Sequence, residues 1–103
     1  MRVYIAGPMT GIEDLNFPAF HAAADALRAA GFDPVNPADI NPGHGTPYQT
    51  CMRNDLTALL TCDAVALLEG WEHSRGARLE HHVSTHLGLI VAPLQSILRH
   101  VAN

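Results

Sequence analysis

The chain has 103 residues, a formal net charge of −4 and six basic side chains, all of them arginine. A surface that neutralises a nucleic-acid backbone needs clustered basic residues, so this acidic balance argues against a nucleic-acid polymer as the partner. The absence of lysine excludes a lysine Schiff base and a P-loop lysine. No apolar run is long enough for a signal peptide or a membrane span, and Cys51 and Cys62 are expected to be reduced thiols. We therefore expect a cytoplasmic protein with one domain over residues 1–103.

Short β-branched, aromatic or apolar runs predict strands, and apolar residues at a period of 3.6 predict the helices that alternate with them. The predicted strands are 2–6, 32–35, 64–68 and 89–92, and the predicted helices are 17–30 with Asn16 as N-cap, 47–61, 74–87 and 96–101. Residues 36–47 are predicted to form a long loop. Alternating strands and helices indicate a three-layer α/β/α, Rossmann-like (flavodoxin-like) fold with a parallel sheet of about four strands. In such sheets a ligand binds at the carboxyl ends of the strands, which here are 7–11, 36–46 and 69–75.

One acidic residue, Glu80, falls on the apolar side of a predicted helix. With Gly76 as the origin and 100° per residue, Val83 lies at about 340° and Glu80 at about 40°. A carboxylate on the core-facing side is costly unless it is paired or has a chemical role. One interpretation is an ion pair with an arginine such as Arg2; the other is a poorly hydrated carboxylate that acts as nucleophile or base.

A second carboxylate, Asp55, has a similar position on the preceding helix. With Met52 as the origin, Leu59 lies at about 340° and Asp55 at about 300°, at the edge of the apolar stripe. Two such carboxylates on neighbouring helices suggest a site in which one attacks or stabilises a sugar carbon while the other assists the leaving group. The alternative is an interior polar group satisfied by backbone amides.

Further candidate groups follow the first and third strands. Ser74 and Gly76 stand where a helix N-terminus can bind an anion or a sugar hydroxyl, and Ser74 is equally suited to be an ordinary N-cap. Gly7 either lets the backbone approach a ligand or serves a turn. Tyr4 either brings its hydroxyl to the site or is a core residue.

The histidines support a competing hypothesis of metal binding. His82 and His86 are spaced i, i+4 on a predicted helix, as metal ligands often are. They lie at about 240° and 280°, away from the face of Glu80, and more ligands would have to come from His44 or His73. We therefore expect no metal and no cofactor.

Three segments occur in order along most of the chain: Tyr4-Ile5-Ala6-Gly7-Pro8-Met9-Thr10-Gly11, then Asp55-Leu56 with Cys62-Asp63-Ala64, then Gly70-Trp71-Glu72-x-Ser74-x-Gly76-Ala77-x-x-Glu80. Together they resemble the nucleoside 2-deoxyribosyltransferase-like superfamily, and within it a small phage and bacterial branch of the DUF4406 type. Members of this superfamily cleave the N-glycosidic bond of nucleosides or nucleotides, and the reaction needs no metal.

The resemblance implies roles for particular residues. Glu80 would attack the anomeric carbon, Tyr4 would position Glu80, and Asp55 would contact the base or help to protonate it. The substrate-binding positions implied in the same way are Gly7, Pro8, Met9, Ser74 and Gly76.

At the positions that would bind a phosphate, one residue matches the pattern of the nucleotide hydrolases and one differs from it. Ser74 is similar to the serine with which the 2′-deoxynucleoside 5′-phosphate N-hydrolases hold the phosphate, whereas deoxyribosyltransferases usually have an aspartate there. Thr10 stands where those hydrolases carry an arginine, and Arg75 or residues 41–46 are the candidate replacements. The chain also ends soon after its fourth strand, whereas larger members complete the active site with later segments of a neighbouring subunit.

We therefore predict an N-glycosidase that acts on a small-molecule nucleoside 5′-monophosphate through a glutamate nucleophile. The alternatives are a nucleoside 2-deoxyribosyltransferase and a non-catalytic nucleotide-binding or regulatory module. A histidine-rich metal-binding protein is a weaker third alternative. The resemblance and the limited core of so small a domain also predict a homo-oligomer, a dimer or higher.

Overall fold

The computed structural model describes residues 1–41 and 45–99. The strands are β1 (Arg2–Ala6), β2 (Asp33–Val35), β3 (Ala64–Leu67) and β4 (Ile90–Pro93). The helices are α1 (Phe17–Ala29), α2 (Pro37–Ile40), α3 (Tyr48–Leu59), α4 (Arg75–His86) and α5 (Leu94–Arg99). Short 3-10 turns at Glu13–Asn16 and Trp71–His73 precede α1 and α4.

The four strands form one parallel sheet in the order β2-β1-β3-β4. The order reverses between β1 and β3, where Val3 pairs with Ala64 and Ala6 pairs with Leu67. This reversal places the carboxyl ends of β1 and β3 side by side, which is where α/β sheets bind ligands. The predicted four-stranded parallel α/β fold is confirmed.

Helices cover both faces of the sheet, because side chains that alternate along a strand point to opposite faces. Val3 and Ile5 of β1 pack with buried residues of α1, α2 and α5 on one face. Tyr4 and Ala6 pack on the other face with buried residues of α3 and α4. The continuous apolar runs of β1 and β3 are thereby buried on both sides, as expected for central parallel strands.

The predicted N-cap Asn16 has a different role. It directly precedes α1 but forms no capping hydrogen bond, because its backbone is left-handed with φ of 61°. Its side-chain Nδ2 instead donates to the carbonyl of Pro8 at 2.9 Å. This hydrogen bond ties the loop after β1 to the start of α1.

The prediction of a loop over residues 36–47 is wrong for residues 37–40, which form α2. The side-chain oxygen of Asn36 accepts a hydrogen bond from the backbone N–H of Ala38 at 3.0 Å. Pro37 occupies the first turn, where its missing N–H removes no helical hydrogen bond. Residues 42–44, including the candidate ligand His44, lie outside the described residues, as does the end of the predicted helix 96–101.

Within residues 1–41 and 45–99, no helix combines the length and the apolar character that crossing a membrane requires.

Candidate active site

A cleft of about 260 Å³ opens at the carboxyl ends of β1 and β3. Five segments of the chain contribute to its walls: the loop after β1, the start of α1, α2 with Asn41, and the facing sides of α3 and α4. Its lining includes Gly7, Met9, Thr10, Phe17, Phe20, Asn41, Tyr48, Cys51, Met52, Asp55, Ser74, Gly76 and Glu80. The cleft therefore lies at the reversal of strand order, as the fold predicts.

Glu80 reaches the cleft from the buried side of α4 and is only 4 % exposed. Its Oε2 accepts a hydrogen bond of 2.6 Å from the hydroxyl of Tyr4, which is fully buried on β1. The proposed ion pair with Arg2 is wrong, because the Arg2 guanidinium pairs with Asp33 at 3.0 Å, on the sheet edge. The partner of the buried carboxylate is thus a neutral phenol donor.

Burial controls the protonation of Glu80. Removal from water raises the pKa of this carboxyl from 4.5 to about 8, while the Tyr4 hydrogen bond opposes the rise and the nearby Asp55 adds to it. Burial together with the charges of Glu80 and Asp55 raises the pKa of Tyr4 well above its usual range, so Tyr4 stays a donor. A Glu80 anion formed in this cleft has one strong hydrogen bond and little water, which suits a nucleophile.

Asp55 faces the same cleft from α3 and is 7 % exposed. Its Oδ1 accepts a hydrogen bond of 2.7 Å from the side-chain amide of Asn41, so its partner is a side chain and not the backbone amides. Burial raises the pKa of Asp55 to about 6, and the Asn41 hydrogen bond moderates this rise. The cleft therefore holds two carboxyl groups that titrate near neutral pH, as acid–base sites often do.

Ser74 is the N-cap of α4, and its Oγ accepts a hydrogen bond from the backbone N–H of Ala77 at 3.2 Å. Ser74 and Gly76 also line the cleft, so the capping role and the cleft position coexist. The guanidinium of Arg75 lies 4.1 Å from the ring centroid of Tyr48, which is a cation–π contact. Tyr48 itself lines the cleft, so the Arg75 guanidinium contacts a residue of the cleft wall.

Residues of the loop after β1 face two different depressions of the protein surface. Gly7 and Met9 line the cleft, but Pro8 faces a groove between α1 and α5. The prediction that Pro8 takes part in substrate binding is therefore not supported by its position. Among the predicted site residues, Tyr4 is connected to the cleft by its hydrogen bond to Glu80. All the others line the cleft, except Pro8.

Gly7 is required by packing. A Cβ on Gly7 would lie 2.8 Å from the Cβ of Leu68, an atom next to the backbone that cannot move aside. We expect Gly7→Ala to lower the free energy of unfolding by about 1–3 kcal/mol, the usual cost of overpacking a core. Urea unfolding measures this change.

The matched control is Gly76→Ala. Its added Cβ would lie 3.1 Å from the sulfur of Met52, near the end of a flexible side chain. We therefore expect a loss below about 1 kcal/mol for this variant, partly offset by the better helix propensity of alanine. Equal losses for the two variants would contradict the packing role of Gly7.

Tyr4→Phe isolates the hydrogen bond to Glu80. A hydrogen bond to a charged group contributes about 1.5–3 kcal/mol, so its loss should raise the pKa of Glu80 further and slow any reaction of the anion by roughly 10- to 100-fold. The pKa of Glu80 can be followed by carboxyl ¹³C NMR. Tyr48→Phe is the control, because the Tyr48 hydroxyl forms no hydrogen bond to residues 1–41 or 45–99. An unchanged Glu80 titration in Tyr4→Phe would contradict the role of Tyr4 as the donor to Glu80.

The histidines of α4 point away from the cleft. The rings of His82 and His86 lie 4.2 Å apart on the exposed side of the helix, and His81 stacks on Trp71 at 4.4 Å. Across residues 1–41 and 45–99, no three His, Cys, Asp or Glu side chains converge as a metal site would require. The metal hypothesis therefore gains no support from the described part of the chain.

Several cleft residues were not predicted individually. Tyr48 and Met52 precede Asp55 at helical spacing, so the stripe of α3 could have indicated them. Phe17 and Phe20 lie on the first turns of α1, which starts near the carboxyl end of β1. Asn41 was included only within residues 41–46 as a candidate for phosphate binding. Its position beside Asp55 depends on α2, which was not predicted.

The solved structure of the 2-deoxyribosyltransferase from the psychrotolerant bacterium Bacillus psychrosaccharolyticus has a similar fold. It matches with a TM-score of 0.67 and 20 % sequence identity, over 88 % of this chain and 69 % of the other. The chain therefore has the nucleoside 2-deoxyribosyltransferase-like fold, as the sequence motifs predicted. It belongs to the family described as Domain of unknown function (DUF4406), whose sequence profile matches residues 1–92. No curated protein matches the chain.

Proposed function

We propose that this protein cleaves the N-glycosidic bond of a nucleoside 5′-monophosphate, with Glu80 as the nucleophile and Asp55 as the proton donor to the leaving base. The observation that carries the proposal is the buried Tyr4–Glu80 hydrogen bond in a cleft that Asp55 also lines. Two carboxyl groups in one cleft are the groups that glycosidic cleavage uses. The deoxyribosyltransferase-like fold supports the same class of reaction.

In the first step, an oxygen of ionised Glu80 forms a bond to the anomeric carbon while the bond from this carbon to the base nitrogen breaks. The bond electrons leave with the base, which takes a proton from Asp55. In the second step, water attacks the anomeric carbon, loses its proton to the Asp55 carboxylate and releases Glu80. The products are the free base and the sugar phosphate.

The two pKa values determine how many protons Asp55 and Glu80 hold together at a given pH. Between about pH 6 and about pH 8 the pair Asp55 and Glu80 holds one proton. In the free protein that proton lies mainly on Glu80, which has the higher pKa. The reactive form, with the proton on Asp55 and Glu80 ionised, is therefore the minor form, and a base that accepts a hydrogen bond from Asp55 favours it. A bell-shaped dependence of rate on pH follows, with limbs near these two values.

The walls of the cleft differ in polarity. Met9, Phe17, Phe20 and Met52 form an apolar side that suits the face of a nucleobase. Ser74 lies at the start of α4, where backbone N–H groups favour an anion. Arg75, held against Tyr48, supplies the positive charge that Thr10 does not. These features favour a phosphorylated substrate over a free nucleoside.

Transfer of the sugar to a second base is the second candidate. The similar solved structure is that of a 2-deoxyribosyltransferase, which favours this reaction. It differs only in the acceptor, because another base would replace water in the second step.

The test is incubation with a panel of ribo- and deoxyribonucleosides and their 5′-monophosphates, with free base separated by liquid chromatography. Base release from monophosphates supports the proposal. A new nucleoside that forms only when a second base is added identifies transfer. Thermal stabilisation by nucleotides without base release identifies the non-catalytic module and contradicts the proposal.

We further propose that the protein is a cytoplasmic homo-oligomer. Exposed apolar side chains on neighbouring elements support this assembly: Leu79 and Leu87 at α4 and Ile90 at the start of β4, an edge strand of the sheet. Light scattering that returns the monomer mass of 11.1 kDa would contradict it.

A further inference from the structure

Three polar side chains form a chain of hydrogen bonds that ends at Asp55. The amide nitrogen of Asn54 donates to Oδ1 of Asn41 at 3.1 Å, and the amide nitrogen of Asn41 donates to Oδ1 of Asp55 at 2.7 Å. Asn54 is exposed, Asn41 is half-buried and Asp55 is buried. The contact from Asn54 orients the Asn41 amide, because its oxygen is already accepting and its nitrogen must face Asp55.

The backbone holds Asn41 at this position. Asn41 ends α2, and its backbone N–H donates to the carbonyl of Pro37 at 3.0 Å. At the other end of α2 the side chain of Asn36 caps the helix and also contacts Nδ1 of His21 on α1 at 3.1 Å. The amide that reaches Asp55 thus extends from a short helix that is anchored at both ends.

The other groups that face Asp55 are acidic or neutral. Tyr4 of β1, Glu80 of α4 and the Cys51 thiol of α3 each interact electrostatically with Asp55. Among residues 1–41 and 45–99, no arginine or histidine forms an ion pair with it. Among the described residues, the Asn41 amide is therefore the polar donor that favours the Asp55 anion. It opposes burial and the Glu80 charge, which both disfavour that anion.

We propose that Asn41 is a positioning residue that holds Asp55 through Oδ1 and leaves Oδ2 as the oxygen that carries the proton. This inference rests on the proposed function, because the proton on Oδ2 is the one that the leaving base receives. An oxygen that accepts a short hydrogen bond is a poor site for protonation, so the proton goes to the other oxygen. Asn41 thereby sets both the direction of proton donation and the pH range in which Asp55 can act.

The first test measures Asp55 in the free protein and needs no activity. Carboxyl ¹³C NMR follows the titration of Asp55, assigned by its loss in Asp55→Asn. We expect the pKa of Asp55 to rise by about one pH unit in Asn41→Ala, because the donor to the anion is lost. Asn41→Asp keeps the shape but replaces the donor by a carboxylate, so it should raise the pKa further.

Asn54→Ala is the matched control, since it removes only the outer hydrogen bond of the chain. We expect its shift to have the same sign and to be smaller than that of Asn41→Ala. Unchanged Asp55 titration in both Asn41 variants, with the fold intact by circular dichroism, overturns the inference. If Asn41→Ala is unfolded, the isosteric Asn41→Asp decides.

The second test uses the dependence of base release on pH. The acidic limb should move upwards by about one pH unit in Asn41→Ala, whereas a merely structural defect would lower the rate at every pH without moving the limb. Base release with an unmoved limb overturns the inference and leaves the proposed function standing. A shifted NMR titration in a protein that releases no base supports the hold of Asn41 on Asp55 and contradicts the proposed function.

Discussion

Replacement of Glu80 by glutamine is expected to lower the rate of base release by on the order of 10³-fold or more, because the amide cannot form the bond to the anomeric carbon. Glutamine keeps the size of the side chain and an oxygen that can accept from the Tyr4 hydroxyl, which donates at 2.6 Å in the native protein. The loss therefore reports chemistry and not a collapse of the cleft. Single-turnover measurements of free base determine it.

The control for this prediction is Glu72→Gln. Glu72 lies on the 3-10 turn before α4 and is exposed, so the same change of charge should leave base release unaltered. Base release that survives Glu80→Gln at the native rate would remove Glu80 from the mechanism.

Asp55→Asn should slow the cleavage of substrates with poor leaving bases more than the cleavage of those with good ones, because a good leaving group needs less proton donation.

The same substitution should stabilise the protein at neutral and alkaline pH. In the folded protein burial raises the pKa of Glu80 from 4.5 to about 8, so the folded state retains a proton that the unfolded state gives up. This contribution to stability is complete below about pH 4.5 and is lost as the pH rises through about 8. Each pH unit in this window corresponds to about 1.4 kcal/mol, so Glu80→Gln should gain several kcal/mol over the native protein between pH 5 and pH 8.

Urea unfolding of both proteins from pH 4 to pH 9 tests this prediction through the difference between their free energies of unfolding. The difference should grow with pH and level off above about pH 8. Asp55 titrates in both proteins, so only the part of its titration that depends on the Glu80 charge contributes to the difference. Glu72→Gln should follow the native protein throughout, because it is exposed. A difference that does not vary with pH would show that folding does not change the pKa of Glu80 and would contradict this prediction.

Stabilisation and loss of activity from one substitution would have a single physical cause. A carboxylate removed from water is both a reactive nucleophile and a costly interior group. The Tyr4 hydrogen bond offsets part of this cost and orients the anion. A buried acid in an active site therefore lowers the stability of the folded protein and raises the reactivity of the carboxylate.

Local sequence patterns were sufficient for most of the fold. Strand β1 follows from a run of β-branched and aromatic residues, and the burial of Glu80 follows from a period of 3.6 residues. Both signals act over short stretches of chain. Two local predictions were wrong. Asn16 was expected to cap α1, but its side chain contacts Pro8, and α2 was hidden within a segment rich in proline.

The sequence by itself determined that four parallel strands alternate with helices and that two carboxylates face inwards. The family resemblance already paired Tyr4 with Glu80, which are 76 positions apart, but only the tertiary structure decided that Asn41 contacts Asp55, 14 positions away. It also decided that Met9 lines the cleft while Pro8 faces the groove between α1 and α5. Periodicity records which side of an element is buried, whereas a hydrogen bond depends on the distance between two atoms. That distance is set when the helices pack on the sheet.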